Sequence, residues 1–403
     1  MSSAPSPSPG SVFSIPAFRR LWMAQFVSVF GDFLAFYAAS SFISFRLHGS
    51  PRQVTMIMVA FLTPFALVGP IAGVFVDRWD ARRTMVMSDV IRAALVLSLL
   101  WAGAPWQIYS TFAVLSVVST FFIPAQSVTT PIIVPKESLL AASAAMQQTV
   151  QAVRILSPAV AGALAGWLGE RSCYALDSVS FAASALLIGS IALPHDRPHM
   201  NKDFGSVLEE LNSGLKYVFT HAVIGFIVLA LAAGTFAISA FGSLLAVYVR
   251  DVLHAGPYIF GATGSMVGVG MLAGSIWVAK YSKKLKHPAR LVVIGVFTTG
   301  VFVAGLAGVS ATGPALAICI GVGLGASLII VPSFALLQSE ADPDMRGRVM
   351  SISMALLCAA QAIAVFFAGD VAARLGIVFL YYGSAILLTL IAAAGWIRLR
   401  QLT

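Results

Sequence analysis

The 403-residue chain is 59% hydrophobic and only 10% charged, with a net charge of +9. A soluble domain carries about 25% charge, so these values exclude an ordinary soluble protein. Apolar runs of about 20 residues recur, as membrane-spanning helices require, whereas the alternating segments of about ten residues that a transmembrane barrel needs are missing.

In chain order, MSSAPSPSPG is rich in Pro and Ser and reads as a disordered cytoplasmic tail over residues 1–15. It lacks the charged leader and cleavage site of a signal peptide. Spans follow at about 17–47, 53–76, 84–104, 107–130, 138–168, 173–193, 223–249, 257–279, 290–309, 313–337, 347–368 and 377–397. They predict an all-α integral membrane protein with twelve transmembrane helices. One half covers residues 16–193 and the other 223–398, with a linker at 194–222, whose second part suits an amphipathic helix, and a tail at 399–403. With the N-terminus inside, eighteen Lys and Arg fall in inner loops and tails and five in outer loops. Both termini are therefore expected in the cytoplasm, and the net charge reflects basic loops rather than a nucleic-acid surface.

A charge within a span costs about 2.5–3.5 kcal/mol on insertion scales, so each such residue needs a reason. Asp32 shares a face of helix 1 with Gln25 and Ser28. It suits a proton-coupling or substrate-binding carboxylate, or a structural hydrogen bond. Arg154 shares a face of helix 5 with Gln147 and Gln151. Arginine keeps its proton, so it needs an acceptor, and Asp32 is the expected partner, either switched by protonation or locking helices 1 and 5 together. Asp89 and Arg92 are spaced as a structural i, i+3 pair. Asp177 is expected to be structural, and Gln361 is a candidate for lining a cavity. The three cysteines are scattered without a CxxC, the histidines fall in or near loops, and no Walker or catalytic-triad pattern occurs. No metal site, no cofactor and no enzymatic activity are expected.

The stretch GVFVDRWDARR sets Asp77, Arg78, Asp80, Arg82 and Arg83 between helices 2 and 3. Gly69 and Gly73 recur as Gly270 and Gly274, and Arg82 and Arg83 as Lys283 and Lys284, all at an offset of 201. Such matches support two related six-helix halves, the layout of secondary transporters. The stretch resembles the signature of the major facilitator superfamily: a Gly, three residues, Asp-Arg and a basic cluster. Gly73, Asp77, Arg78, Arg82 and Arg83 fit it, while Asp80 replaces the usual second Gly and Ala81 a usual Arg. More narrowly, the chain is similar to the bacterial efflux branch that includes macrolide and siderophore (enterobactin-type) exporters. FGD (Phe30–Asp32), SDVIRA (Ser88–Ala93), VPKESLLAASA (Val134–Ala144) and LLQSEADPDMRGRVMS (Leu336–Ser351) carry that likeness.

The resemblance implies the major facilitator fold, with pseudo-symmetric halves. It implies an antiporter-like element in helix 5 at Ser157, Pro158 and Gly162, with Ser157 in place of the usual Gly. Helices 1 and 7 often line the cavity in this family, so Phe33, Phe36, Tyr37, Phe236 and Phe241 are candidates for a broad hydrophobic pocket. A cytoplasmic gate is implied in which Asp77 caps helix 11 and meets Arg346 or Arg348, with Glu137 facing Lys283 and Lys284 in the other half. GVGMLAG and GVGLGAS mimic nucleotide-binding loops but lie inside spans without a preceding strand, so they read as close-packing surfaces. The expectation is a monomeric, multi-pass protein of the bacterial cytoplasmic (inner) membrane. It would export a hydrophobic or amphipathic small molecule, multidrug fashion, as a proton-coupled antiporter working by alternating access. Its partners would be that substrate, protons and membrane lipid, and no nucleic acid. The alternatives are export of a siderophore, metal ion or lysophospholipid, or a membrane sensor that transports nothing.

Overall fold

The computed structural model describes residues 12–76, 79–192, 215–281, 289–342 and 345–402. Among them, twelve helices are long and apolar enough to cross a membrane. In order they are α1 (Pro16–Ser41), α2 (Pro51–Val76), α3 (Ala81–Ser98), α4 (Pro105–Ile133), α5 (Leu139–Trp167), α6 (Glu170–Gly189), α7 (Ala222–Ser243), α8 (Pro257–Tyr281), α9 (Ala289–Ala307), α10 (Thr312–Glu340), α11 (Arg346–Leu375) and α12 (Ile377–Leu402).

Local chemistry explains the ends of these helices. α1, α2, α4 and α8 open on proline, whose missing N–H is one of the unpaired donors of a first turn anyway. Gly169 (φ 82°) and Gly376 (φ 89°) make the sharp turns into α6 and α12, in backbone conformations that L side chains rarely adopt. Asp80 caps α3, its carboxylate accepting the Arg83 backbone N–H at 2.7 Å. That accounts for one acid of GVFVDRWDARR. The span expected over 223–249 breaks at Leu244, and Leu245–Asp251 forms a separate short helix. Residues 1–11 of the expected tail lie outside the described residues. Val12, expected with the tail, is instead fully buried, and Phe13 packs edge-on against Phe18 and Trp22. Of the linker, residues 215–220 are helical.

The helices cluster into two compact units, residues 1–39 with 60–202 and residues 40–59 with 203–403. In the first, Leu21, Val76, Met85, Phe122 and Ile188 form a buried cluster drawn from α1, α2, α3, α4 and α6. Apolar side chains also pack in the second, including Ile227, Leu231, Val296, Ile329, Val349 and Leu388. There, however, backbones also approach closely. A Cβ on Gly270 of α8 would lie 2.8 Å from the Ile320 carbonyl carbon of α10, and one on Gly323 of α10 would lie 2.8 Å from that of Val267 in α8. Gly295 of α9 faces α10 in the same way, 2.8 Å from the Leu328 carbonyl carbon. The glycines of GVGMLAG and GVGLGAS are thus contact surfaces between helices. Gly69, which matches Gly270 by sequence, would meet nothing within 4 Å.

The second unit also holds the connection between α1 and α2. α1 ends in a π-helical turn, Phe42–Arg46. Arg250 donates to the carbonyls of Ser44, within that turn (2.6 Å), and of Gly49, beyond it (2.8 Å), and Arg52 pairs with Asp370 at 3.3 Å.

Candidate functional site

The polar groups of the first unit meet where α1, α3 and α6 pack together. α6 supplies Asp177, Ser180, Phe181 and Ser184, which recur three and four residues apart and so share one face. α3 supplies Asp89 and Arg92 from adjoining turns. Both are almost fully buried, and Arg92 Nη2 donates to Asp89 Oδ1. The Ser184 hydroxyl donates to the other Asp89 oxygen at 2.6 Å. Two aromatic rings enclose the guanidinium, with Cζ 4.4 Å from the Phe122 centroid and 4.5 Å from that of Phe181. These cation–π contacts compensate part of its lost hydration. The structural pairing expected of Asp89 and Arg92 is therefore present.

Asp32 is half-buried in the middle of α1. The charges that act on it are those of Arg92 and Asp89. Next to it, Gly31 lies so close to α6 that an added Cβ would strike Asp177 Oδ1 and Ser180 Oγ. The missing side chain is what lets Asp177 reach the backbone of α1. Asp89 thus bonds Arg92 directly, and Asp32 and Asp177 lie within range of its charge. Among the described residues, no group of three His, Cys, Asp or Glu side chains could hold a metal ion.

The remaining polar candidates are spread around this cluster. On the Asp32 face of α1, Gln25 Oε1 accepts from Gln126 Nε2 of α4 at 2.7 Å. Trp22 Nε1 donates to Thr149 Oγ1 of α5 at 2.7 Å. Asp32 and Arg154 do not form the ion pair expected between helices 1 and 5. Arg92 is the basic neighbour of Asp32, while Arg154, exposed on α5, has Tyr37 as the ionisable group acting on it. Gln147 is exposed and Gln361 half-buried. Phe33, Phe36 and Tyr37 are half-buried on α1, and the Phe36 ring stands 6.3 Å from that of Phe112 in α4. Phe236 borders an apolar cavity of about 190 Å³ with Phe367 and Phe379, whereas Phe241 is buried against Tyr381, 5.2 Å between ring centres. Ser157, Pro158 and Gly162 are buried within α5. Pro158 cannot donate to the Arg154 carbonyl, and the Ser157 hydroxyl bonds the carbonyl of Val153 instead, at 2.7 Å.

Of the expected gate, Asp77, Arg78, Lys283 and Lys284 lie outside the described residues, as do the side chains of Arg346 and Arg348, the surroundings of Gly73 and the side chain of Gln151. Arg83 and Glu137 are exposed. Arg82 donates to the Ile191 carbonyl at 3.0 Å, and Arg20 to that of Ser190 at 2.7 Å. Both arginines satisfy carbonyls just beyond the C-terminal end of α6, where positive charge is favoured.

Residues 21–365 match the profile of the Major Facilitator Superfamily. The chain belongs to that superfamily. It is 24% identical to the uncharacterized MFS-type transporter YfiS of Bacillus subtilis, over 90% of this chain and 89% of YfiS. It is 23% identical to macrolide efflux protein A of Streptococcus pyogenes, over 89% of this chain and 90% of that protein. Among solved structures, a point mutant of the nucleoside transporter NupG superposes with a TM-score of 0.76 at 12% identity, over 94% of this chain and 99% of NupG. The chain is thus a multi-pass membrane transporter of this superfamily, near its bacterial efflux branch.

Sequence reasoning singled out Asp32 but missed its surroundings. The sequence points only to a local structural role for Asp89, Arg92 and Asp177, and does not mark out Gln126, Thr149, Ser180 or Ser184. The available signal is the i, i+3, i+7 spacing of Asp177, Ser180 and Ser184 along α6.

Proposed function

We propose that this chain is a proton-coupled antiporter of the bacterial inner membrane that exports a hydrophobic or amphipathic small molecule by alternating access. The observation that carries this reading is the imbalance around Asp32: three carboxylates lie within range of the charge of one guanidinium, which bonds only Asp89. Full ionisation would leave a net charge of about −2 inside a membrane span, where each charge is costly. Each proton taken up removes one of those charges. Asp89 already has Arg92 and Ser184 as partners. Asp32, half-buried and without such partners, is the carboxylate suited to exchange a proton during turnover. Relatives named macrolide efflux proteins support export and a large apolar substrate.

The test is flux in proteoliposomes, with a macrolide and ethidium as probes, with and without an imposed pH gradient. Wild-type protein is expected to accumulate a probe only when the gradient is present. Asp32→Asn is expected to reduce gradient-driven accumulation at least tenfold while still allowing exchange. Gradient-driven flux in Asp32→Asn equal to wild type would remove Asp32 from coupling.

A further inference from the structure

Asp177 is 1% exposed, among the most deeply buried acids of the described residues. Its oxygens are poorly served. Oδ2 has no hydrogen-bond partner. Oδ1 is 3.1 Å from the Ser180 hydroxyl, which lies closer, at 2.7 Å, to the Asp177 backbone carbonyl. That hydroxyl has one proton to divide between two acceptors. A buried carboxylate is tolerated when two or three donors, or a cation, meet it, and Asp177 has at most a fraction of one donor. The charged groups around it are Asp32 from α1 and Asp89 and Arg92 from α3, with Cys173 on its own helix. α5 meets α6 through the carbonyl of Ala161, which faces the Cys173 thiol at 3.8 Å. Arg92, the cation of this group, is already bonded to Asp89. As an anion Asp177 would therefore add a second uncompensated charge, whereas a proton on Oδ2 removes the charge and turns that oxygen into a donor.

We propose that Asp177 is a proton-binding site, a second one beside Asp32, holding its proton on Oδ2. Gly31 of α1 leaves room for that carboxyl, because any side chain there would displace it. Proton binding at Asp177 stands without the proposed coupling role of Asp32.

Infrared spectroscopy of the purified full-length protein in lipid nanodiscs, without substrate or gradient, tests the site. A protonated carboxyl absorbs as a carbonyl band well separated from carboxylate bands, and the band shifts when the buffer is changed to deuterium oxide. At neutral pH the wild type is expected to show such a band, and Asp177→Asn to lose it. Ser180→Ala, which removes the hydroxyl near Oδ1 but keeps the acid, is expected to move the same band to higher frequency. It serves as the decisive variant if Asp177→Asn does not fold. A carboxylic-acid region unchanged in Asp177→Asn, or unchanged in Ser180→Ala, overturns the proposal. Because the spectrum needs no transport, its outcome is separable from that of the flux experiment on Asp32→Asn.

Discussion

The six helices from α1 to α6 and the six from α7 to α12 solve the problem of packing inside a membrane differently. The first set carries Asp32, Asp89, Arg92, Arg154 and Asp177 well within its spans. The second carries charge only near span ends, at Lys280, Arg290, Glu340, Asp370 and Arg374. In place of polar networks, it brings backbones together through Gly270, Gly295 and Gly323. Lipid offers no hydrophobic driving force between helices, so association must come from close packing or from polar contacts. This chain uses one device in each half. Halves that look like repeats in sequence have diverged in how they cohere.

Substitutions can break this contrast. The largest effect is expected from Arg92→Met, which leaves Asp89 buried without its cation. The apparent unfolding free energy in detergent should fall by about 3–5 kcal/mol, and adding Asp89→Asn should restore most of it. A double variant no more stable than the single one would show that the pair is not what Arg92 contributes. Next come Gly270→Ala and Gly323→Ala, each placing a methyl against the backbone of the facing helix. Thermal unfolding should report a loss of about 1–3 kcal/mol for each. If both are neutral, close backbone approach is not what holds α8 to α10. The smallest effect is expected from Gly69→Ala, the sequence counterpart of Gly270. Its better helix propensity, about 0.5–1 kcal/mol, is opposed by the restriction Pro70 places on the residue before it, and the net change should stay below about 1 kcal/mol. A large loss there would restore the symmetry that the packing lacks.

Much of this architecture was legible in the sequence, because bilayer thickness translates directly into apolar run length. Even the close-packing glycines of GVGMLAG and GVGLGAS could be read, since small residues three and four apart have few other uses in a span. The charged cluster was legible only in pieces. Asp32 stands out because it is the only acid on α1, and Asp89 with Arg92 because they are three residues apart. That Asp177 joins them depends on how closely α6 approaches α1 at Gly31; the spacing of Asp177, Ser180 and Ser184 marks a polar face on α6 but not the helix that face meets. The expected Asp32–Arg154 pair failed for the same reason. Matching an acid to a base by depth alone ignores which helix face each one occupies.

The connection between α1 and α2 has a consequence for how the chain can be divided. Its carbonyls at Ser44 and Gly49 are held by Arg250, and Arg52 is paired with Asp370, so the partners of residues 44–52 lie some 200–320 positions later in the sequence. A gene split within the 194–222 linker would make two polypeptides that match the apparent halves. The first would emerge from the ribosome with that hairpin unsupported, and co-expression of the second would be required to complete it.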